Sequence, residues 1–336
     1  MKNVAIAVLI ASLSCFYAQP QTSSPLPLTR SIPLKGVTGK FDHFAFDTEG
    51  NRLFIAATGN HSVEILNVGS GQISESIRGL GKPHGVAWIP QSGRLFVADG
   101  SQADLKVYEG SPFKLVGTIK LSDDADDMVY DESTHLLYVG HGGSTSASPP
   151  RIAVVDTVGL KLVANLPVPA HPEALDIDVA GRRIFANIAD SAEVAIIDGT
   201  NQKLLPSWKI TRAKDNVPMA YDAKDSLLLI GCRTPGKLLV LEAKSGKEVA
   251  DAPSASGADD LFFDDATRRA FLITGSGEVD IYVVSADLSV HADGTTKTSP
   301  GAKTGLLVPS LKTLFLGVPG ATGEDSHINV YSTKAP

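Results

Sequence analysis

The chain has 336 residues, 30 Lys and Arg against 37 Asp and Glu, and a formal net charge of −7, with 43% apolar and 20% charged residues. That is the make-up of an ordinary globular protein, and the absence of any Lys/Arg run leaves no phosphate-neutralising surface for a nucleic-acid partner. The length suits two average domains or one large all-β fold.

The first element is MKNVAIAVLIASLSCFYA, with Lys2 followed by an apolar core from Val4 to Leu13. The core is too short to span a bilayer, and a polar, Pro-rich stretch follows it, which predicts a secretory signal over 1–18 and a linker over 19–26. The mature chain is then expected in the periplasm or outside the cell, without a transmembrane segment. Cys15 raises lipidation as an alternative, but Leu13 stands one position too late for it. Signal removal leaves Cys232 as the sole cysteine, so no internal disulfide can form. Cys232 follows an apolar run and is expected to pack as a small hydrophobe.

From Pro27 onwards the chain repeats. The runs RLFIAA, RLFVAD, LLYVGH, RIFANI, LLLIGC, AFLITG and TLFLGV align on Phe54, Phe96, Tyr138, Phe185, Leu229, Phe271 and Phe315, at spacings of 42, 42, 47, 44, 42 and 44. Runs rich in β-branched and aromatic residues, broken by Gly, Asp and Ser turns at this spacing, indicate propeller blades, and no stretch of helical period competes. Each unit reads as four strands. DHFAFD and its equivalents form the inner strand A, and the aligned runs form B. SVEILN, LKVYEG, RIAVVD, EVAIID, KLLVLE, VDIYVV and HINVYS form C, while weaker runs such as KLVGTIKL form D. The last unit stops at its C strand, whereas PLTRSIPL (27–34) has the D pattern yet precedes the first A strand. The expectation is an all-β, seven-bladed β-propeller over 27–336, its last blade closed by the N-terminal strand, which leaves no exposed edge there. A monomer is expected.

Units such as RLFIAATGNHSVEILNVGSGQ and RIFANIADSAEVAIIDGTNQ place a strand, a polar turn and a V-x-I-[LI]-[ND] strand in order. In this the chain resembles the YVTN/YncE-like seven-bladed propeller repeat family. The resemblance implies a propeller whose role is binding, and it brings no catalytic residues with it.

Comparing blades by column separates two kinds of aspartate. Asp47, Asp131, Asp178, Asp222 and Asp264 open the A–B turns, where a short carboxylate accepts backbone N–H groups, a structural task. The start of strand A carries Asp42, His84, Asp126, Glu173, Asp259 and Lys303, followed one place on by His43, Asp127 and Asp260. ADDMVYDEST and ADDLFFDDAT are the third and sixth copies of this position. It lies at one mouth of the central channel, where loops after strand B add Asn60, His61, Asp99, His141, Asp190 and Arg233. Like charges crowded on a rim call for a cation, protons or water, which makes Asp42, His43, His84, Asp126, Asp127, His141, Glu173, Arg233, Asp259 and Asp260 the candidate ligand-binding residues. Asp42, Asp126, Glu173 and Asp259 offer an oxygen set for a divalent cation, Ca²⁺ or Mg²⁺.

Two functions fit. One is an exported propeller that binds a small ligand, a cation or a protein segment at the mouth. The other is a metal-dependent hydrolase or lyase there, with His84 or His43 as base. A plain hydrated rim is the bland alternative. The remaining features are weaker. HGG at His141 lacks a G-x-S-x-G partner. His171 and His135 read as surface residues, and Trp88 and Trp208 as packing between blades.

Overall fold

The computed structural model describes residues 24–334. The signal region and the start of the linker lie outside them. Seven four-stranded antiparallel sheets succeed one another along the chain. The inner A strands are Phe44–Asp47, Pro83–Ile89, Met128–Asp131, Pro172–Asp178, Lys214–Asp222, Ala258–Asp264 and Gly305–Val308, in blades 1 to 7. In six blades A to D follow in sequence. Blade 7 takes its outermost strand, Leu28–Pro33, from the other end of the chain, paired with His327–Ser332. Among the described residues no helix is long and apolar enough to cross a membrane.

The core is shared between neighbours, because each half-polar sheet must bury one face against the next. Phe54, Val63 and Ile65 of blade 1 pack with Val86, Leu95 and Val97 of blade 2. The B-strand aromatics Phe54, Phe96, Tyr138, Phe185, Phe271 and Phe315 are fully buried. Trp88 stacks on Phe54 from the adjoining blade, with centroids 5.2 Å apart. Trp208 lies 5.6 Å from Phe185 and against the turn at Gly246 of the next blade. Cys232 is buried, and burial pushes its thiol up to about 12, so it is an inert packing group.

At the closure, Ile32 and Leu34 join Phe315 and Ile328 of blade 7 and Phe44, Leu53 and Ile55 of blade 1 in one cluster. The described part of the linker is also docked. Leu26 is fully buried against blades 6 and 7, the Ser24 hydroxyl meets that of Thr296 at 3.2 Å, and Arg269 donates to the Pro25 carbonyl at 3.2 Å.

The A–B turn aspartates do what their position requires. Asp131 accepts from the Ser133 N–H at 2.9 Å, Asp178 from Gly181 at 2.8 Å, Asp222 from Lys224 at 3.1 Å and Asp264 from Ala266 at 3.0 Å. Asp47 instead accepts twice from the Arg52 guanidinium, at 2.8 and 2.9 Å.

Candidate functional site

Two residues per blade set the mouth. The N–H groups of Asp42 and Asp126 donate to the carbonyls of Ala56 and Gly140, both at 2.9 Å, which fixes the column just ahead of strand A against strand B. Alternation along the strand then sends successive side chains to different surroundings. Asp42, His43, His84, Asp126, Glu173, Arg233, Asp259 and Asp260 surround a polar cavity of about 210 Å³, together with Lys40 and Lys303. Beside it a second chamber of about 240 Å³ is lined by A-strand segments of all seven blades, with Asp127, Asp176 and Asp260 among the apolar side chains of its wall. His43, Ala174 and Asp260 border both.

One wall of the mouth is carboxylate and imidazole. His84 Nδ1 lies 2.7 Å from Asp42 Oδ2 and 3.5 Å from Asp126 Oδ1. His43 Nε2 stands 3.7 Å from Asp42 Oδ1 and 3.6 Å from Asp126 Oδ1, while its Nδ1 faces Asp127 Oδ1 at 3.6 Å. His171 Nε2 faces Asp126 Oδ2 at 3.7 Å, and its Nδ1 bonds the Gly142 carbonyl at 2.6 Å. Burial opposes charge on His43, but Asp127, Asp126 and Asp42 outweigh it and raise the ring well above its ordinary value. Burial likewise opposes charge on His171, and Asp126 with the Gly142 carbonyl lifts it to about 9. In return the Asp126 carboxyl, which burial alone would raise, is held well below the carboxylate range by His171, His43 and His84. Among the described residues, Asp126 Oδ1 and His84 Nε2 are buried without hydrogen-bond partners.

The opposite wall is an ion-pair lattice. Asp259 meets Arg233 at 2.5 Å and Lys303 at 2.7 Å, and Arg233 Nε donates to the Ala258 carbonyl at 2.8 Å. The crowding of carboxylates is thus answered from within, by two permanent cations here and three imidazoles opposite. Glu173 lies between. Burial raises its carboxyl, Asp126 and Asp259 add to the rise, and His171 and Arg233 oppose it.

The second aspartates of the repeated Ala-Asp-Asp have another task. Asp127 Oδ2 accepts the Leu175 N–H and Asp260 Oδ2 the Gly305 N–H, each at 2.7 Å and each in the next blade. Asp176 does the same one pair deeper, accepting from Tyr221 at 2.7 Å. These carboxyls staple A strand to A strand. Burial raises Asp176 to about 6, and burial, with Asp259 nearby, raises Asp260 to about 7 against the opposing His43 ring.

His141 does not face the cavity. It is fully buried, accepts the Ser122 N–H at Nδ1 and bonds Asn165 Oδ1 through Nε2, which fixes a neutral ring whose basicity burial lowers. His61 and Asp99 tie adjoining loops, through the Gly81 carbonyl and the Gly81 and Lys82 N–H groups. The oxygen set expected for Ca²⁺ or Mg²⁺ is not assembled as such. Asp259 is committed to Arg233 and Lys303, and among the described residues the grouping with metal-ligand spacing is Asp42, His43 and Asp126, whose donor atoms all lie within 4.8 Å of one another.

His171, expected at the surface, is instead mostly buried against Asp126, and Asp176 escaped the sequence reading. His171 belongs to a column two places upstream, which also holds Lys40, Lys82 and Asp124. Asp176 is the single charged member of a column otherwise made of Ala45, Ala87, Val129, Ala220, Phe262 and Leu306, and that mismatch was its signal.

No family model matches the chain, and no curated protein does. Solved structures do. A chain of hydrazine synthase from Kuenenia stuttgartiensis superposes with a TM-score of 0.76 at 16% identity, over 90% of this chain and 99% of that one. A chain of the mitotic checkpoint complex gives 0.76 at 14%, over 97% and 99%. U3-55K gives 0.74 at 12%, over 90% and 98%. Likeness at this level of identity establishes the architecture alone: a seven-bladed β-propeller, a fold that commonly serves to bind ligands or proteins.

Proposed function

We propose that this chain is an exported propeller of YVTN/YncE-like type that binds a small polar ligand in the mouth of its central channel. The observation that carries this reading is a cavity of about 210 Å³ with an imidazole and carboxylate wall opposite an Arg233 and Lys303 wall, and with Lys40 also in its lining. Such a cavity suits a molecule with both anionic and hydrogen-bond-donating groups, since each end finds its complement without new charge being buried unpaired. Export rests on the signal pattern at 1–18.

A thermal-shift and calorimetric screen of small organic acids, amino acids and amines tests it. A compound that raises the melting temperature, and loses that effect in Arg233→Gln and Glu173→Gln, supports the reading. A screen in which nothing shifts the melt, with only solvent in the mouth of a crystal structure, overturns it.

A metal-dependent hydrolase or lyase in the same cavity is the second reading. It is favoured by one observation, the convergence of Asp42, His43 and Asp126. Turnover that follows added metal, and stops with chelator, separates it from simple binding.

A further inference from the structure

We infer that Asp42, His43 and Asp126 form a site for one divalent transition-metal ion of the borderline class, such as Zn²⁺ or Mn²⁺, instead of an all-oxygen Ca²⁺ or Mg²⁺ site. The inference rests on reading the mouth as a binding cavity and does not depend on any turnover there.

Spacing is the first argument. His43 Nε2 lies 3.7 Å from Asp42 Oδ1 and 3.6 Å from Asp126 Oδ1. An ion with bonds of about 2.0–2.2 Å places neighbouring donors roughly 3.0–3.6 Å apart. The Asp42 and Asp126 oxygens each need to close on His43 Nε2 by only a few tenths of an ångström, within the reach of carboxylate rotation, and all three donors lie within 4.8 Å of one another.

The orphaned acceptor is the second. Asp126 Oδ1 is buried and without a hydrogen-bond partner among the described residues, although His43 Nε2 and His84 Nδ1 stand 3.6 and 3.5 Å from it. A buried carboxylate oxygen left unbonded costs free energy that a cation in this triangle would remove.

The outer layer is the third. Metal-binding side chains are held by partners on the atom that faces away from the ion. Asp42 has one at hydrogen-bond distance, His84, only 5% exposed, at 2.7 Å on Oδ2; Asp127 faces His43 Nδ1 at 3.6 Å, and His171, itself tied to the Gly142 carbonyl, faces Asp126 Oδ2 at 3.7 Å.

Donor chemistry selects the ion. Ca²⁺ takes about six to eight oxygens, but Asp259 is held by Arg233 and Lys303, and one of the three donors is an imidazole. Imidazole with carboxylate suits Zn²⁺ or Mn²⁺, and two carboxylates balance a divalent charge. With three protein donors and the cavity beside them, the ion would keep positions open to a ligand.

The test is metal titration of the chelator-stripped full mature chain, followed by calorimetry and melting. The expected result is one equivalent of Zn²⁺ or Mn²⁺, bound about 100-fold more tightly than Ca²⁺ or Mg²⁺ and raising the melting temperature. His43→Gln should weaken binding about 100-fold, and His84→Gln about 10-fold, through the outer layer. Asp131→Ala, in an A–B turn away from the mouth, should change it by less than about threefold. Absence of stoichiometric binding, or binding unaffected by His43→Gln, overturns the site. Should His43→Gln not fold, the Cu²⁺-loaded parent decides by pulsed electron paramagnetic resonance: nitrogen modulation from one imidazole supports the site, and an all-oxygen signal overturns it. Metal uptake with no small-molecule binding would sink the ligand reading alone. Small-molecule binding with no metal uptake would sink this one alone.

Discussion

ADDMVYD at 125–131 and ADDLFFD at 258–264 occupy the same position in two blades, and their first aspartates face the same cavity. Their surroundings differ completely. Asp126 is met by imidazoles from blades 1, 2 and 4, and Asp259 by Arg233 of blade 5 and Lys303 of blade 7. Guanidinium and ammonium stay charged at neutral pH, so Asp259 is locked in its ion pairs. Imidazoles take up and release protons and bind metals, so Asp126 stands in convertible company. The second aspartates, by contrast, are interchangeable, each bonding the next blade's backbone at 2.7 Å. In a ring of repeats, a residue that bonds the next blade's backbone keeps its role from copy to copy. One directed into the channel takes its role from other blades.

The largest test breaks the ring that brings these copies together. Deleting residues 24–34 bares the His327–Ser332 edge and removes the buried Leu26, Ile32 and Leu34. The expected loss is on the order of 5 kcal/mol, seen as a sharply lowered melting temperature. A truncated chain melting with the intact one would show that closure contributes nothing.

The claim that the second aspartates are equivalent comes next. Asp127→Ala and Asp260→Ala should each cost about 1–3 kcal/mol in urea unfolding, by stranding the N–H of Leu175 or Gly305. Unequal losses would break the equivalence. Asp260 adds a pH signature. Its folded carboxyl sits at about 7 against an ordinary 3.8, so between those values the folded state holds a proton that the unfolded state has released. Its contribution to stability therefore falls as pH rises through that window and is flat above it. Asp260→Asn keeps the acceptor for Gly305 and should lack the fall.

The locked pair is expected to give less. Arg233→Met with Lys303→Met should cost about 1–2 kcal/mol, because both cations are more than a third exposed and solvent screens them. Adding Asp259→Asn should restore most of that loss. If it restores none, the pairs are ornamental and Asp259 resembles Asp126 after all.

The smallest effect is Asp131→Ala, about 1 kcal/mol from the lost Ser133 and Thr134 bonds, with ligand and metal binding unchanged. A binding defect in that variant would put the wrong end of strand A at the mouth.

The architecture was legible because it is written in repetition. Seven aromatic or leucine anchors at a near-constant spacing, and a D-type strand displaced to the N-terminus, require one closed ring. The mouth was legible as a column but not as a set of partners. Which imidazole meets which carboxylate depends on twist and radius, and these bring His171 to Asp126 while burying His141 on Asn165. His141 and Arg233 leave their B strands at one end of the ring, yet only Arg233 reaches the cavity. Column position gives the end of the barrel; side-chain length and local bonding decide the rest.

The pairing of first and last strands also orders events in time. The Thr29 hydroxyl and the Val330 carbonyl it bonds are 301 positions apart. During synthesis the Leu28–Pro33 strand emerges long before its partner His327–Ser332, so blades 1 to 6 can each pair locally while blade 7 waits. Bringing ends together across that separation costs roughly 2 kcal/mol more than across a separation of about 40 residues within one blade. Closure is then a late joint, and the nascent chain carries an unpaired strand until it forms. The sequence LTRSIP meets that hazard with one basic residue, two hydroxyls and a terminal proline, features that discourage pairing with the wrong chain until the right edge arrives.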